Sequence, residues 1–190
     1  RPQVFPGKED QEIPAPLPVE ASRPQRQRVA HDDGRPAGFT VQNNELKLLP
    51  DLFECHFLYP DAEKQLDFIR ACRQKGAKRI SAGTGLMNTA NQPAAVRAAF
   101  EESDYCFLNH LEATALFGTI DSVTTIPGRI LFITLGVDGA LVIQGNYVSK
   151  VPSIPCEVLD PTGAGDAFCG ATGAYLALGQ HPNIAARNAS

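Results

Sequence analysis

The sequence predicts an α/β protein of three layers, a mostly parallel sheet covered by helices on both faces. Two observations carry this. From residue 38 onward, strand-sized apolar runs such as Arg129–Leu135 alternate with helical segments of ten to fifteen residues. Strands joined through helices form βαβ units, which give parallel sheets buried on both faces. Second, 43% hydrophobic and 20% charged residues in 190 are the proportions of an ordinary globular chain that can bury a core.

Residues 1–36 stand apart. They hold seven of the fifteen prolines, one aromatic residue (Phe5) and twelve charges, six of each sign. Proline removes backbone donors and restricts its predecessor, so neither a helical nor a strand period survives there. The reading is a Pro-rich, poorly ordered arm or remnant over 1–36, followed by a partial domain over 37–190.

Short strands are predicted at Phe39–Val41 and Glu54–Leu58. Ala62–Lys75 reads as an amphipathic helix, with Leu66, Ile69, Ala71 and Cys72 near one face and Gly76 as its stop. A strand at Arg79–Ala82 and a helix at Gln92–Glu102 follow, then a strand at Asp104–Leu108 and a helix from His110 to Phe117. After the strand Arg129–Leu135, the runs Ala140–Ile143 and Tyr147–Val151 flank Gln144-Gly145-Asn146 and predict a hairpin. Cys156–Leu159 is expected to be the last strand, Ala164–Leu178 a long helix of small residues, and a further helix begins near Asn183. No repeat of fixed period is present.

Several function classes are disfavoured. A formal net charge of -4 offers no basic surface for nucleic acid and no polybasic membrane anchor. No run approaches the eighteen apolar residues of a membrane span. Five scattered cysteines without a CxxC pair, and four dispersed histidines, argue against a disulfide framework or a zinc cage. Reduced, mostly buried thiols in the cytoplasm are expected. The chain opens with Arg1 and has no secretory layout, so it is expected to be a fragment or an excised product.

In α/β sheets of this type ligands bind beyond the carboxyl ends of the strands. The most informative loop lies there: Asp160-Pro161-Thr162-Gly163-Ala164-Gly165-Asp166-Ala167-Phe168, at the start of a helix. Its glycines let the backbone turn and approach a ligand, and the amides of Gly163, Ala164, Gly165 and Asp166 are expected to point outward, unpaired. Such a helix end attracts anions. Beside a transferring phosphoryl group it would stabilise developing charge, and Asp166 in the same turn could take the proton of an attacking hydroxyl. An isolated Gly-Asp would merely complement the helix dipole; the whole string favours chemistry.

Asn109-His110-Leu111-Glu112 also follows a strand and opens a helix. Capping explains such a pattern equally well, but a carboxylate there can hold a hydrated Mg²⁺. Thr134-Leu135-Gly136-Val137-Asp138-Gly139 makes a strand-turn-strand. No GxxxxGK[ST] occurs, and the two Gly-x-Gly pairs lack the third glycine of GxGxxG, which disfavours a dinucleotide oxidoreductase.

DPTGAGDAF resembles the second signature of the PfkB carbohydrate kinase family, which includes ribokinase-, fructokinase- and adenosine-kinase-like enzymes. The resemblance, from about Glu54 to Ser190, implies a ribokinase-like (Rossmann-like) α/β/α fold, apparently truncated at both ends. It implies Asp166 as catalytic base and Gly163, Ala164 and Gly165 as anion hole. It assigns Asn109 and Glu112 to an NxxE motif for Mg²⁺ and phosphate. It further assigns Thr134, Gly136 and Gly139 to a TxGxxG turn lying against the nucleotide. Asp160 and Thr162 fall where the family often binds a monovalent cation such as K⁺, with other ligands from sequence not contained here. ATP and Mg²⁺ are the implied cofactors, a small sugar or nucleoside the implied substrate, and a homodimer of a longer form a further expectation. The family's Gly-Gly motif, sugar-binding Asp and Asn and β-stranded lid are not found in residues 1–53. The alternatives are a non-catalytic relative keeping a phosphate cradle for regulation or assembly, and a superfamily kinase of a vitamin alcohol. The intact Asp166 and Glu112 favour a working kinase.

Overall fold

The computed structural model describes residues 54–190, so the arm over 1–36 and the strand expected at Phe39–Val41 lie outside the described residues. Six strands form one sheet: β1 Glu54–Phe57, β2 Arg79–Gly83, β3 Tyr105–Asn109, β4 Ile130–Thr134, β5 Ala140–Gln144 and β6 Tyr147–Val151. They are hydrogen-bonded in chain order. β1 to β4 run parallel, and β5 and β6 return as antiparallel strands. The helices are α1 Ala62–Gln74, α2 Leu86–Asn91, α3 Pro93–Glu102, α4 His110–Phe117, α5 Ala164–Ala177 and α6 Pro182–Ala189.

Strand side chains alternate between two cores, as the period of two requires. On one face Ile80, Ala82, Cys106, Leu108, Leu131 and Ile133 pack with Ile69 and Cys72 of α1, Val96 and Phe100 of α3, and Ala113 and Leu116 of α4. On the other, Phe107, Phe132, Val142 and Val151 meet Phe168 and Leu176 of α5 and Ala185 and Ala186 of α6. This is the three-layer arrangement the alternation predicts.

Local chemistry sets the element ends. Asp61 caps α1, its Oδ1 accepting from the amides of Glu63 (3.0 Å) and Lys64 (3.2 Å). Pro93 sits in the first turn of α3, where its missing N–H is not needed. The hairpin closes through Gly145-Asn146, Gly145 taking the positive φ (61°) that tight hairpin turns require. At the amino ends of the strands Asp104 accepts from Arg73 (2.7 Å), Arg129 (2.6 Å) and the Ile80 amide (2.8 Å), pinning α1, β2 and β4 around it.

Two local expectations are corrected. Residues 156–159 form no strand: the segment is exposed, with Val158 at 59% and Leu159 at 91%. Its apolar pattern suits a strand, but no described strand pairs with it, and extended backbone needs a neighbour to satisfy its amides. The short helix α2 goes unpredicted, being only six residues between Gly85 and Pro93. Of the four described cysteines, all free, Cys72 and Cys106 are buried, Cys169 is half-buried and Cys156 is exposed.

Candidate active site at the carboxyl ends of the parallel strands

Because β1 to β4 are parallel, their carboxyl ends share one edge, and the motifs collect there. Asn109, last residue of β3, pairs in register with Thr134, last residue of β4. The NxxE and TxGxxG segments therefore start side by side. Gln65 braces this edge further along: buried, it accepts from the Tyr59 amide (2.9 Å) and donates to the Gly83 carbonyl (2.9 Å), tying the loop after β1 to the end of β2.

Asn109 and Glu112 form a reciprocal capping box at the start of α4. The Glu112 amide donates to Asn109 Oδ1 (2.9 Å), and the Asn109 amide donates to Glu112 Oε2 (2.8 Å). Capping and metal binding are compatible, because Oε1 takes no protein donor among the described residues. Burial raises the pKa of Glu112, with the Asn109 amide opposing. Among the described residues no three His, Cys, Asp or Glu cluster as a metal cage. A single carboxylate suits Mg²⁺, which keeps most of its waters. His110 is exposed.

The DPTGAGD loop turns as its glycines allow. Gly163, at φ 80° and ψ 0°, is the left-handed N-cap of α5. The Ala164 amide donates to the Pro161 carbonyl (3.1 Å), closing a tight turn, and the Ala167 amide donates to Gly163 (2.8 Å). The expectation of four free amides is thus corrected, since Ala164 is engaged by the turn. The amides of Gly163, Gly165 and Asp166 take no acceptor among the described residues. Asp166 lies exposed in the first turn. Asp160 Oδ1 accepts the Thr162 amide (2.8 Å), and hydrogen bonding from Thr162 lowers the Asp160 pKa.

What aims this turn is Phe168, two residues beyond Asp166. Its ring packs edge-on against Phe107 (6.3 Å between centroids) and Phe132 (6.5 Å), which themselves stack at 4.9 Å. The anchor packs α5 on β3 and β4, and Asp166 lines a cavity together with His56 and Leu58. The Cys169 thiol is pushed up to about 12, first by burial and then by the negative charges of Asp166 and Glu112.

The two glycines of the TxGxxG turn differ. Gly136 (φ 63°) has open space where a Cβ would stand. At Gly139 (φ 89°) a Cβ would lie 2.0 Å from the Val151 carbonyl oxygen and 2.7 Å from the Ser153 amide. The close approach that Gly139 permits is therefore to its own chain. Thr134 Oγ1 donates to the Leu108 carbonyl at 3.5 Å.

Sequence reasoning missed His56. Its Nδ1 lies 2.8 Å from Ser81 Oγ, its ring meets Phe107 edge-on at 5.8 Å, and it lines a cavity of about 420 Å³ together with Asp166. The available signal was its place within a predicted parallel strand.

The fold and these motifs define a class, and the comparisons with known proteins agree. The chain belongs to the pfkB family of carbohydrate kinases, whose family model matches residues 56–190. Ribokinase of Bacillus subtilis (strain 168) is 33% identical over 107 residues, 55% of this chain and 36% of the relative. Ribokinase of Lactococcus lactis is 36% identical over 70 residues, 36% of this chain and 23% of the relative. The chain thus spans about a third or less of these relatives. Among solved structures, a Burkholderia thailandensis nucleoside kinase in complex with ADP-inosine superposes with a TM-score of 0.63 at 25% identity, covering 75% of this chain and 46% of that one. The nucleoside kinase of Methanocaldococcus jannaschii shares the fold, with a TM-score of 0.58 at 22% identity, over 76% and 50% of the two chains. No helix among the described residues is long and apolar enough to cross a membrane.

Proposed function

We propose that this chain carries the phosphoryl-transfer centre of an ATP-dependent kinase acting on a hydroxyl of a small sugar or nucleoside. The observation that carries the reading is the convergence at the strand ends. Asn109 and Thr134 end neighbouring parallel strands in register, Glu112 is held in the cap that follows β3, and the Gly163–Asp166 helix start is anchored through Phe168 on Phe107 of the same strand.

The chemistry follows from the groups. Asp166 accepts the proton of the acceptor hydroxyl as that oxygen bonds to the γ-phosphorus. The bond from γ-phosphorus to the bridging oxygen breaks, and ADP leaves with the electron pair. The free amides of Gly163, Gly165 and Asp166, at the positive end of α5, stabilise charge on the transferring group. Glu112 would hold Mg²⁺ through water, and the ion would offset the charge of the nucleotide phosphates. Asp160 and Thr162 are the candidate K⁺ ligands. Thr134 and Gly136, beside Asn109, form the floor for the nucleotide. The relatives include ribokinases and a nucleoside kinase bound to ADP-inosine, which supports a ribose-like acceptor.

Asp166→Asn tests the reading in the active protein, whether this chain or a longer form containing it. Turnover is expected to fall by roughly 10²-fold or more, the loss of a general base, while the melting temperature and nucleotide affinity persist. Turnover near that of the wild type would return Asp166 to the role of a helix-dipole residue.

A further inference from the structure

One wall of the cavity containing Asp166 belongs to no motif described above. It runs between α5 and the exposed face of β1 and β2, with Asp166 and Cys169 on the helix side and His56, Leu58 and Ser81 on the sheet side. On α5 the cavity is widened by Gly170 and Gly173, where a Cβ would meet nothing within 4 Å. His56 is held in place from two sides. Ser81 fixes Nδ1, and Phe107 lies edge-on against the ring. The same Phe107 packs on Phe168, so ring and base are fixed to one aromatic cluster.

We propose that His56 is a substrate-positioning residue: its imidazole hydrogen-bonds a second hydroxyl of the polyhydroxylated acceptor whose first hydroxyl faces Asp166. The inference rests on the kinase reading above. With Nδ1 engaged by Ser81, Nε2 takes no partner among the described residues and is the edge left for a ligand. A neutral imidazole nitrogen can donate to or accept from a hydroxyl, according to tautomer. The ring favours the neutral form, since burial against its neighbours lowers its pKa even though the residue as a whole is exposed. The Asp166 charge opposes that shift. The titratable groups sharing the cavity are Arg79 from β2, Tyr105 from β3, and Asp166 and Cys169 from α5. Leu58 beside the ring supplies an apolar wall for the C–H face of a sugar. No proton transfer is assigned to His56.

Two measurements test it. In the 190-residue chain, the His56 ring signals are titrated by NMR with and without Asp166→Asn. Removing the carboxylate is expected to lower the His56 pKa further, because that charge favours the protonated ring. An unchanged titration means the two groups do not face one another, and overturns the proposal. In the active protein, His56→Ala and His56→Gln are assayed with ATP against ribose, fructose, adenosine and inosine. His56→Ala is expected to raise the acceptor KM about three- to tenfold, the worth of one neutral hydrogen bond, with kcat and the KM for ATP nearly unchanged. His56→Gln, which keeps a polar edge, should recover part of the loss. An unchanged acceptor KM, or a fall in kcat alone, overturns the proposal. If Asp166→Asn leaves turnover intact while His56→Ala raises KM, the base assignment fails and the positioning role stands. Absence of turnover on every acceptor defeats the kinase reading and this inference with it.

Discussion

Replacing Gly139 by alanine should damage the fold, whereas the same change at Gly136 should not. The two glycines share one motif and both have positive φ, 63° at Gly136 and 89° at Gly139. An alanine Cβ at 136 meets nothing within 4 Å, so only the left-handed backbone is penalised, by about 1–2 kcal/mol. At 139 the Cβ would stand 2.0 Å from a backbone carbonyl oxygen of β6, and ψ of -130° lies outside the ordinary left-handed well. Strain of about 1–3 kcal/mol and an overpacking penalty of about 1–3 kcal/mol then add, because backbone cannot swing aside as a flexible side chain would. The expected loss is about 3–5 kcal/mol. With roughly 2–4 °C per kcal/mol for a chain of this size, Gly139→Ala should melt roughly 10 °C or more below the wild type, and Gly136→Ala only a few degrees below it. Urea unfolding, with matched slopes, checks that the change is one of stability. Equal melting temperatures for the two variants would refute the assignment of Gly139 to the packing of β5 on β6.

Two further changes probe other links. Glu112→Gln keeps an oxygen for the Asn109 amide and so the capping box, but should raise the Mg²⁺ concentration needed for turnover in the active protein; an unchanged Mg²⁺ dependence removes Glu112 from the metal site. Burial raises the Glu112 pKa, so its ionised form opposes folding. Without metal the Gln variant should be no less stable than the wild type at neutral pH, and the wild type should gain on it as pH falls through the Glu112 pKa; melting curves across pH 4–8 show whether the difference closes. Asp104→Asn removes the charge that receives two arginines and the Ile80 amide, and should cost about 2–3 kcal/mol by urea unfolding without altering nucleotide affinity.

Much of this molecule is legible in its sequence because local and global signals agree. The helix His110–Phe117 has its boundaries set by the Asn109 cap and Gly118, and the structure reproduces them. Arg129–Leu135 could only be a buried strand, and β4 is central to both cores. Cys156–Leu159 misled because strand propensity reports a pattern and is silent on whether a partner strand lies alongside. The candidate site could be proposed from the sequence where its residues sit in contiguous strings, as in DPTGAGD and NxxE. It was not legible at His56, whose meaning comes from Ser81, Phe107 and α5, which are distant in sequence and meet only through the sheet. Nor could the sequence separate Gly136 from Gly139, since only the position of the β6 backbone distinguishes them.

The strand order, β1 to β6 without a skipped neighbour, has a consequence for modularity. In many α/β sheets a strand from one end of the chain slots between two from the other, so that a partial chain leaves a gap. Here each described strand finds its neighbour in the one before it, and none of the five pairings waits for an insertion from elsewhere. Among the described residues the sheet therefore grows one neighbour at a time in chain order. Asn109 and Thr134 are thereby kept side by side by pairing between consecutive strands alone.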